Sequence, residues 1–423
     1  MEMNLEMKAH IVATYWLETP FSLEKASEII ISEQSTGTFM PLPNETESLK
    51  QRHRATVLSI EPQDVSPFPA LPGARVPVGN KGEYQRGIVK IAFPYDNIGP
   101  SIPNVMATVA GNLFELEELS GIRLLDLEFP PQFLERYEGP RFGIVGTREL
   151  TGVYNRPIIG TIIKPNIGLS TEELRLIVRE LASSGIDFIK DDEVNGNAPY
   201  APLAERVKAA MEEIERAADR TGKKTMYAFN ITDDIDMMLR HLDTVVKHGG
   251  NCVMISINSI GFAGLAHLRK QAPVCIHGHR NQWGMMSRYP YLGMSFNAYQ
   301  KLCRISGVDH MHVNGLNNKF HESNASVISG VQECLTPIFS SSDTVVPVLS
   351  SKQWAGAAPE TYKTLQTMDL MNIAGGGIHG HPGGAGAGFR SLVQGWDAAM
   401  AGIPLKEHAL THVELKQALE TFS

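Results

Sequence analysis

The chain has few cysteines, no excess of positive charge and no long apolar run, and each absence narrows what it can be. Four cysteines, Cys252, Cys275, Cys303 and Cys334, occur in 423 residues. None belongs to a CxxC pair, and two lie in apolar strand-like runs, which suits buried thiols in a reducing compartment. Lysine and arginine number 38 against 46 acidic residues, giving a formal charge of -8 and a pI near 6.0. That balance argues against a nucleic-acid or anionic-membrane partner, so any phosphate recognition has to be local. No apolar run is long enough to cross a membrane. The opening residues, Met1-Glu2-Met3-Asn4-Leu5-Glu6, lack the basic and apolar regions of a signal peptide. The expected location is cytoplasmic.

What is present fits a globular enzyme with a sizeable core: 43% of residues are hydrophobic and 20% charged. A length of 423 residues predicts two domains. Up to about residue 136, strands and helices alternate without a regular βαβ rhythm, which predicts an α+β domain. Strands are expected at His10 to Trp16, Thr56 to Ile60, Gly87 to Phe93 and Ile122 to Phe129, and helices at Ser22 to Ile31 and Ile102 to Leu119. Ser22 is a plausible N-cap, but Lys25 stands where a capping box needs an acid. The proline- and glycine-rich stretch Pro62 to Lys81 reads as loop.

From Ile158 the rhythm changes. Eight strand-like runs recur: Ile158 to Lys164, Ile186 to Lys190, Thr225 to Ile231, Cys252 to Ile257, Val274 to His277, Asp309 to His312, Val345 to Leu349 and Leu370 to Ala374. Helical segments fill most gaps, among them Glu172 to Ser183 and Leu203 to Arg220. The pattern predicts a (β/α)8 barrel over residues 137–423, ending in a short helical extension and preceded by the smaller α+β domain of residues 1–136. A doubly wound sheet is the rival. It would gather its chemistry at one switch point, whereas here nearly every strand ends in polar residues.

The stretch Phe188-Ile189-Lys190-Asp191-Asp192-Glu193 stands out. On a strand, Lys190 and Asp192 share one side, Asp191 turns away, and Glu193 follows at the loop. These residues are either a salt-bridged strand end or, with Lys190 converted to a carbamate by CO2, a magnesium site. Lys164, after the strand Gly160 to Ile163, is either a rim lysine or a general acid/base. His277-Gly278-His279-Arg280 and His310-Met311-His312 place paired histidines on strand faces. They fit core histidines or a metal, and Asp309 is the only adjoining acid, which makes zinc the weaker reading. Arg280 suits a phosphate or carboxylate. Val313 to Lys319 is either plain surface loop or a lid that delivers a cation. Gly375-Gly376-Gly377 after the last strand can offer backbone N–H groups to a phosphate, while His379 and His381 read as structural.

Taken together, these motifs resemble the large subunit of ribulose-bisphosphate carboxylase (RuBisCO), and more closely the RuBisCO-like proteins, over nearly the whole chain. The resemblance implies Mg2+ held by carbamylated Lys190, Asp192 and Glu193. It implies Lys164 as the enolisation lysine, His279 in substrate chemistry and Lys319 as the mobile-loop lysine. Arg280, His312, Ser350, Gly375 and Gly376 become contacts to substrate hydroxyl and phosphate groups. Glu33, Thr38 and Asn112, from the first domain, are expected to enter a partner's site, so a homodimer with shared active sites is the minimal unit. Departures from the carboxylase pattern are Asn166 for a second lysine, Trp283 for a histidine, Phe39 for a tryptophan, Asn317-Asn318 before the loop lysine, and Ser351-Lys352 for two glycines. They argue against carboxylation of ribulose bisphosphate, whereas the intact triad argues for retained enediolate chemistry. The favoured expectation is decarboxylation of a phosphorylated β-keto sugar acid such as 3-oxo-isoapionate 4-phosphate. The alternatives are an enolase or isomerase of methionine salvage and a non-catalytic regulatory protein.

Overall fold

The protein is described by a computed structural model covering residues 10–37, 42–80, 82–338, 340 and 343–423. Thr38 and Phe39 lie outside the described residues. The strands in chain order are β1 (His10–Thr19), β2 (Thr56–Ser66), β3 (Tyr84–Pro94), β4 (Gly121–Glu128), β5 (Ile158–Ile162), β6 (Phe188–Lys190), β7 (Met226–Asn230), β8 (Cys252–Ser256), β9 (Cys275–His279), β10 (Leu292–Met294), β11 (His310–His312), β12 (Val346–Leu349) and β13 (Met371–Ile373). The chain divides into two compact units. One comprises Met1–Tyr137 and Gln282–Leu302, the other Glu138–Asn281 and Cys303–Ser423.

The first unit is a five-stranded sheet in the order β10-β4-β1-β3-β2. Only β10, which arrives from far along the chain, pairs parallel to its neighbour β4. The helix Leu23–Gln34 starts at Ser22, whose side chain accepts from the Lys25 backbone N–H. Two expectations are corrected here. The strand that begins at Thr56 runs on through Pro62 to Ser66, with register shifts on either side of the proline. It is an edge strand, where a residue without an N–H is tolerated. The helix expected over Ile102 to Leu119 stops at Val109 and resumes as a 3-10 turn at Asn112–Glu115. Between them the chain bends tightly at Gly111, where a Cβ would sit 2.2 Å from the Ala107 carbonyl oxygen.

The second unit is a closed barrel of eight parallel strands, β5 to β9 and β11 to β13, with β13 pairing β5 and β9 pairing β11. Each strand falls within or beside an apolar run read from the sequence, because only a run flanked by helices on one side and barrel core on the other is apolar on both faces. The helix Thr171–Ser183 carries a capping box built from Ser170 and Glu173. Alternation sends one residue in two inward. Phe188, Met226, Ala228, Met254, Cys275, Val348 and Met371 form the apolar interior. Farther along the same inward faces come Lys190, Asn230, His277 and His279, and β11 adds His310 and His312. The interior therefore turns from apolar to basic toward the C-terminal ends of the strands.

Two fully buried acids fix the opposite rim. Asp187, just before β6, accepts from the Ile159 N–H at 2.8 Å and pairs with Arg156 and Lys223. Asp309, just before β11, accepts from the backbone N–H groups of Arg141, Phe142 and Gly143 at 2.9, 2.6 and 3.1 Å. Its other oxygen takes the Ile276 N–H at 2.8 Å and the Arg269 guanidinium at 2.9 Å. Asp309 is thus spent on architecture, and Arg269 is as deeply buried as its partner.

Two stability measurements follow from this interior. Asp309→Ala leaves a buried guanidinium uncompensated and is expected to cost about 3–5 kcal/mol. A urea midpoint that stays unchanged would place the constraint elsewhere. Burial pushes His277, His310 and His312 below the ordinary imidazole value of 6.5, His310 to about 4, with neighbouring imidazoles and Lys190 adding to the effect at His277 and His312. The unfolded chain takes up protons at these sites near pH 6.5 while the folded chain does not. Stability should fall on acidification from about pH 6.5 toward 4, by about 1.4 kcal/mol per pH unit for each histidine. Urea midpoints that stay flat between pH 6.5 and 5 would show that the cluster is not neutral.

Candidate functional site

Lys190 ends β6 with only 1% of its surface exposed. Its Nζ donates to the Asp191 carbonyl at 2.7 Å and lies 3.5 Å from Glu193 Oε2. Burial lowers its pKa, while the charges of Glu193, Asp192 and Asp191 work in the other direction. Asp192, also buried, accepts from Lys164 Nζ at 2.8 Å. Burial opposes the charge of Glu193, yet His279 and Lys190 beside it hold its carboxyl at about 2. Two carboxylates and two lysines thus alternate in space, each carboxylate beside one ammonium.

Asp191 points elsewhere. It accepts from the Tyr227 hydroxyl at 2.7 Å and the Asn230 N–H at 2.9 Å, and pairs with the buried Arg206 at 2.8 Å. Strand alternation had already set it apart from Lys190 and Asp192. Asn230, at the end of β7, donates to the Asp192 and Glu193 carbonyls at 3.2 and 3.3 Å and so holds the backbone that carries both acids.

Lys164 follows β5 and is one-third exposed. Besides Asp192, its ammonium donates to Asn166 Oδ1 at 2.6 Å. The residue that replaces a lysine of the carboxylase pattern is thus a neutral partner of Lys164. Gly375 lies against the same side chain: a Cβ there would come 3.2 Å from Lys164 Cε. Gly376 opens the short turn that follows and has open space where its Cβ would be.

On the far side, His279 at the end of β9 places Nε2 3.4 Å from Glu193 Oε2, and its Nδ1 accepts from the Asn281 N–H at 3.2 Å. Burial pushes this imidazole down to about 4, with Lys190 adding to the shift. Its ring meets that of His312 edge-on at 4.4 Å. His312 Nε2 lies 2.8 Å from His277 Nε2, and its Nδ1 lies 3.4 Å from Ser350 Oγ. One connected cluster therefore contains Lys164, Lys190, Asp192, Glu193, His279, His312, Ser350 and Gly375.

Other residues named from the sequence stand apart. Arg280 is buried against Glu322, which also accepts from Asn314 Nδ2 at 2.7 Å and Ser326 Oγ at 2.8 Å. Glu322 and Asn314 were not singled out from the sequence, since nothing in the local pattern distinguishes them from loop residues. Lys319 is exposed, with its ammonium over the Phe320 ring at 5.3 Å. Its backbone N–H donates to Ser351 Oγ at 3.1 Å. Ser351 and Lys352 keep positive φ values of 70° and 52°, the left-handed backbone that glycine adopts freely. Glu33 and Asn112 belong to the first unit, where Asn112 Nδ2 donates to Glu33 Oε1 at 3.4 Å. His379 Nε2 meets the Ile162 carbonyl at 3.0 Å and His381 Nε2 the Glu414 carbonyl at 2.9 Å.

Among the described residues, no group of three or more His, Cys, Asp or Glu side chains is arranged to hold a metal ion. The hard oxygen donors near Lys190 are the two carboxylates of Asp192 and Glu193. A carbamate on Lys190 would add a third anionic oxygen donor, and the buried ammonium already occupies a position of positive charge beside them. The donor set fits a hard divalent cation on that condition.

Comparison with known proteins agrees with this architecture. The family model for the ribulose bisphosphate carboxylase large chain, N-terminal domain, matches residues 2–133, and that for its catalytic domain matches residues 143–422. The chain is 47% identical over 414 residues to a 3-oxo-isoapionate-4-phosphate transcarboxylase/hydrolase of Xanthobacter autotrophicus, covering 98% of this chain and 99% of the relative. It is 45% identical over 415 residues to a 3-oxo-isoapionate-4-phosphate decarboxylase of Rhizobium etli, with the same coverage of 98% and 99%. The crystal structure of a rubisco-like protein from Burkholderia fungorum superposes with a TM-score of 0.91 at 47% identity, covering 98% of this chain and all of the other. With an eight-stranded barrel, a lysine-centred acidic cluster at its mouth and matches over nearly its full length, the chain belongs to the ribulose bisphosphate carboxylase large-chain family.

Proposed function

We propose that the protein is a magnesium-dependent decarboxylase of a phosphorylated β-keto sugar acid, with 3-oxo-isoapionate 4-phosphate as the substrate. The observation that carries this reading is the buried Lys190 beside the Glu193 carboxylate, with Lys164 on the neighbouring, more deeply buried Asp192. The names of the relatives at 45% and 47% identity support the choice of substrate.

Burial lowers the Lys190 pKa, which favours the free amine, the form that adds CO2 to become a carbamate. As a carbamate, Lys190 would join Asp192 and Glu193 in holding Mg2+. Held there, the ion would supply Lewis-acid stabilisation for negative charge developing on the substrate oxygens as CO2 leaves. On this reading Lys164 gives a proton to the carbon that the carboxylate leaves, and the neutral Asn166, which accepts from its ammonium, holds it without adding charge. His279, oriented by the Asn281 N–H, directs Nε2–H toward Glu193. A phosphate on Arg280 competes with the Glu322 carboxylate for the guanidinium. Ser350 and His312 meet a substrate hydroxyl or phosphate oxygen, Gly375 and Gly376 meet the other end, and Lys319 closes over substrate from its loop. Glu33, Thr38 and Asn112 enter from a second copy of the chain, so the working unit is a homodimer.

A second reading of the bond broken has one specific support, the transcarboxylase/hydrolase name of the 47% identical relative. On that reading the substrate carboxyl does not leave as CO2.

The test uses the full-length protein with magnesium, bicarbonate and 3-oxo-isoapionate 4-phosphate labelled in its carboxyl group. Labelled CO2 is expected, and Lys190→Ala and Lys164→Met should each lower its release at least about 100-fold, the scale for losing a preorganised electrostatic group. Turnover with the label retained in a product carboxylate would favour the second reading. No turnover, with a diketo methylthio phosphate consumed instead, would overturn both.

A further inference from the structure

Gln353 is absent from the chemistry above, yet it is buried beside two of the segments assigned to substrate. Its Nε2 donates to the Ser351 carbonyl at 2.9 Å, and its Oε1 accepts from Asn372 Nδ2 at 2.9 Å. Asn372, on β13, accepts at Oδ1 from the indole N–H of Trp396 at 3.0 Å, in the helix Ala385–Ala401. Asn372 and Trp396 are buried as well. Two glycines are shaped around Gln353. A Cβ on Gly315, at the root of the loop that carries Lys319, would lie 2.0 Å from Gln353 Nε2, and one on Gly377 would lie 2.4 Å from the Gln353 carbonyl oxygen.

The direction of this chain is set at its Trp396 end, because an indole N–H only donates. Asn372 therefore turns its oxygen to Trp396 and its NH2 to Gln353. Gln353 in turn gives its oxygen to Asn372, which leaves its own NH2 for the Ser351 carbonyl. Neither amide can turn over without setting like groups face to face in a buried place, which costs more than a lost bond. The last link matters because Ser351 has a φ of 70°, in a backbone region that residues other than glycine seldom adopt. Held by its carbonyl, Ser351 keeps that turn, and its hydroxyl accepts the Lys319 N–H at 3.1 Å.

We infer that Gln353 is a positioning residue for Lys319, acting through Ser351, and that Trp396 and Asn372 set the direction of its amide. Because Gly377 packs against the same residue, Gln353 also fixes the spacing between the lysine loop and the glycine turn after β13. A substrate that reaches from Lys319 to Gly375 and Gly376 is measured against that spacing. This consequence rests on the barrel mouth being the active site proposed above. The hydrogen-bonded chain does not.

The test is amide hydrogen exchange of the full-length protein without substrate, read by mass spectrometry at the Lys319 N–H. Ser351→Ala removes the acceptor and should speed that exchange about fivefold, the factor for one net hydrogen bond. Gln353→Met keeps the volume and removes both polar ends. It should have the same effect and add nothing in the Ser351→Ala background. Asn372→Asp does not touch Ser351, but it turns the Gln353 oxygen toward the Ser351 carbonyl and should match Gln353→Met. Gln353→Glu is the rescue: as the neutral acid favoured by burial it keeps an oxygen for Asn372 and an O–H for Ser351, so at pH 6 it should return to the parent rate. Exchange at Lys319 unmoved by Ser351→Ala or Gln353→Met, effects of those two that multiply, or Gln353→Glu as fast as Gln353→Met at pH 6 would overturn the inference. If Gln353→Met does not fold, Asn372→Asp in the Ser351→Ala background decides in the same way. Because no turnover is read, failure here is separable from failure of the proposed reaction.

Discussion

A lysine ammonium sealed inside a barrel is the constraint around which the second unit is arranged. Lys190 cannot shed its charge into water, so the chain must surround it with groups that tolerate the charge or remove it. The structure does both. Glu193 and the Asp191 carbonyl face the ammonium directly, and burial weakens its hold on the proton. Lys164 balances Asp192, and the His279 imidazole turns its Nε2 toward Glu193. The site grows outward from a single desolvated charge.

The barrel can afford such a centre because its buried acids are divided by position. Asp187 and Asp309 precede their strands and tie backbone N–H groups and guanidinium groups together at the N-terminal rim. Asp191 does similar work sideways, through Tyr227 and Arg206. Asp192 and Glu193 follow the same strand but face other ionisable side chains instead of saturated backbone partners. Acids that meet backbone N–H groups and arginine have their oxygens committed to fixed partners, whereas acids that meet lysine and imidazole can exchange partners. Only the second kind can serve a reaction that moves charge.

The strands and the cluster were legible in the sequence for a shared reason. Each barrel strand is an apolar run ended by polar residues, and those polar ends are the site itself, as at Lys190 and His279. What escaped the sequence depends on contacts between distant segments. The continuation of β2 through Pro62 is permitted by its place at the sheet edge, which local composition does not reveal. Glu322 gains meaning only beside Arg280, 42 residues away in the chain. The paired histidines were visible as two motifs. That their rings join into one row follows from the register that sets His310 opposite His277, a property of strand order.

The residues that depart from the carboxylase pattern show what kind of change this scaffold accepts. Asn166 removes a positive charge, yet it still holds Lys164 at 2.6 Å, so the change lowers the charge of the site while keeping its geometry. Ser351 and Lys352 replace glycines, yet both keep the left-handed backbone at some conformational cost. What offsets that cost is visible at Ser351, whose hydroxyl accepts the Lys319 N–H and ties two loops of the barrel mouth. Lys190, Asp192, Glu193 and Lys164 stay as in the carboxylase pattern while residues around them are replaced. A site altered in this way keeps the means to stabilise an enediolate and changes what can be held around it, which is the change expected when the substrate differs and the intermediate does not.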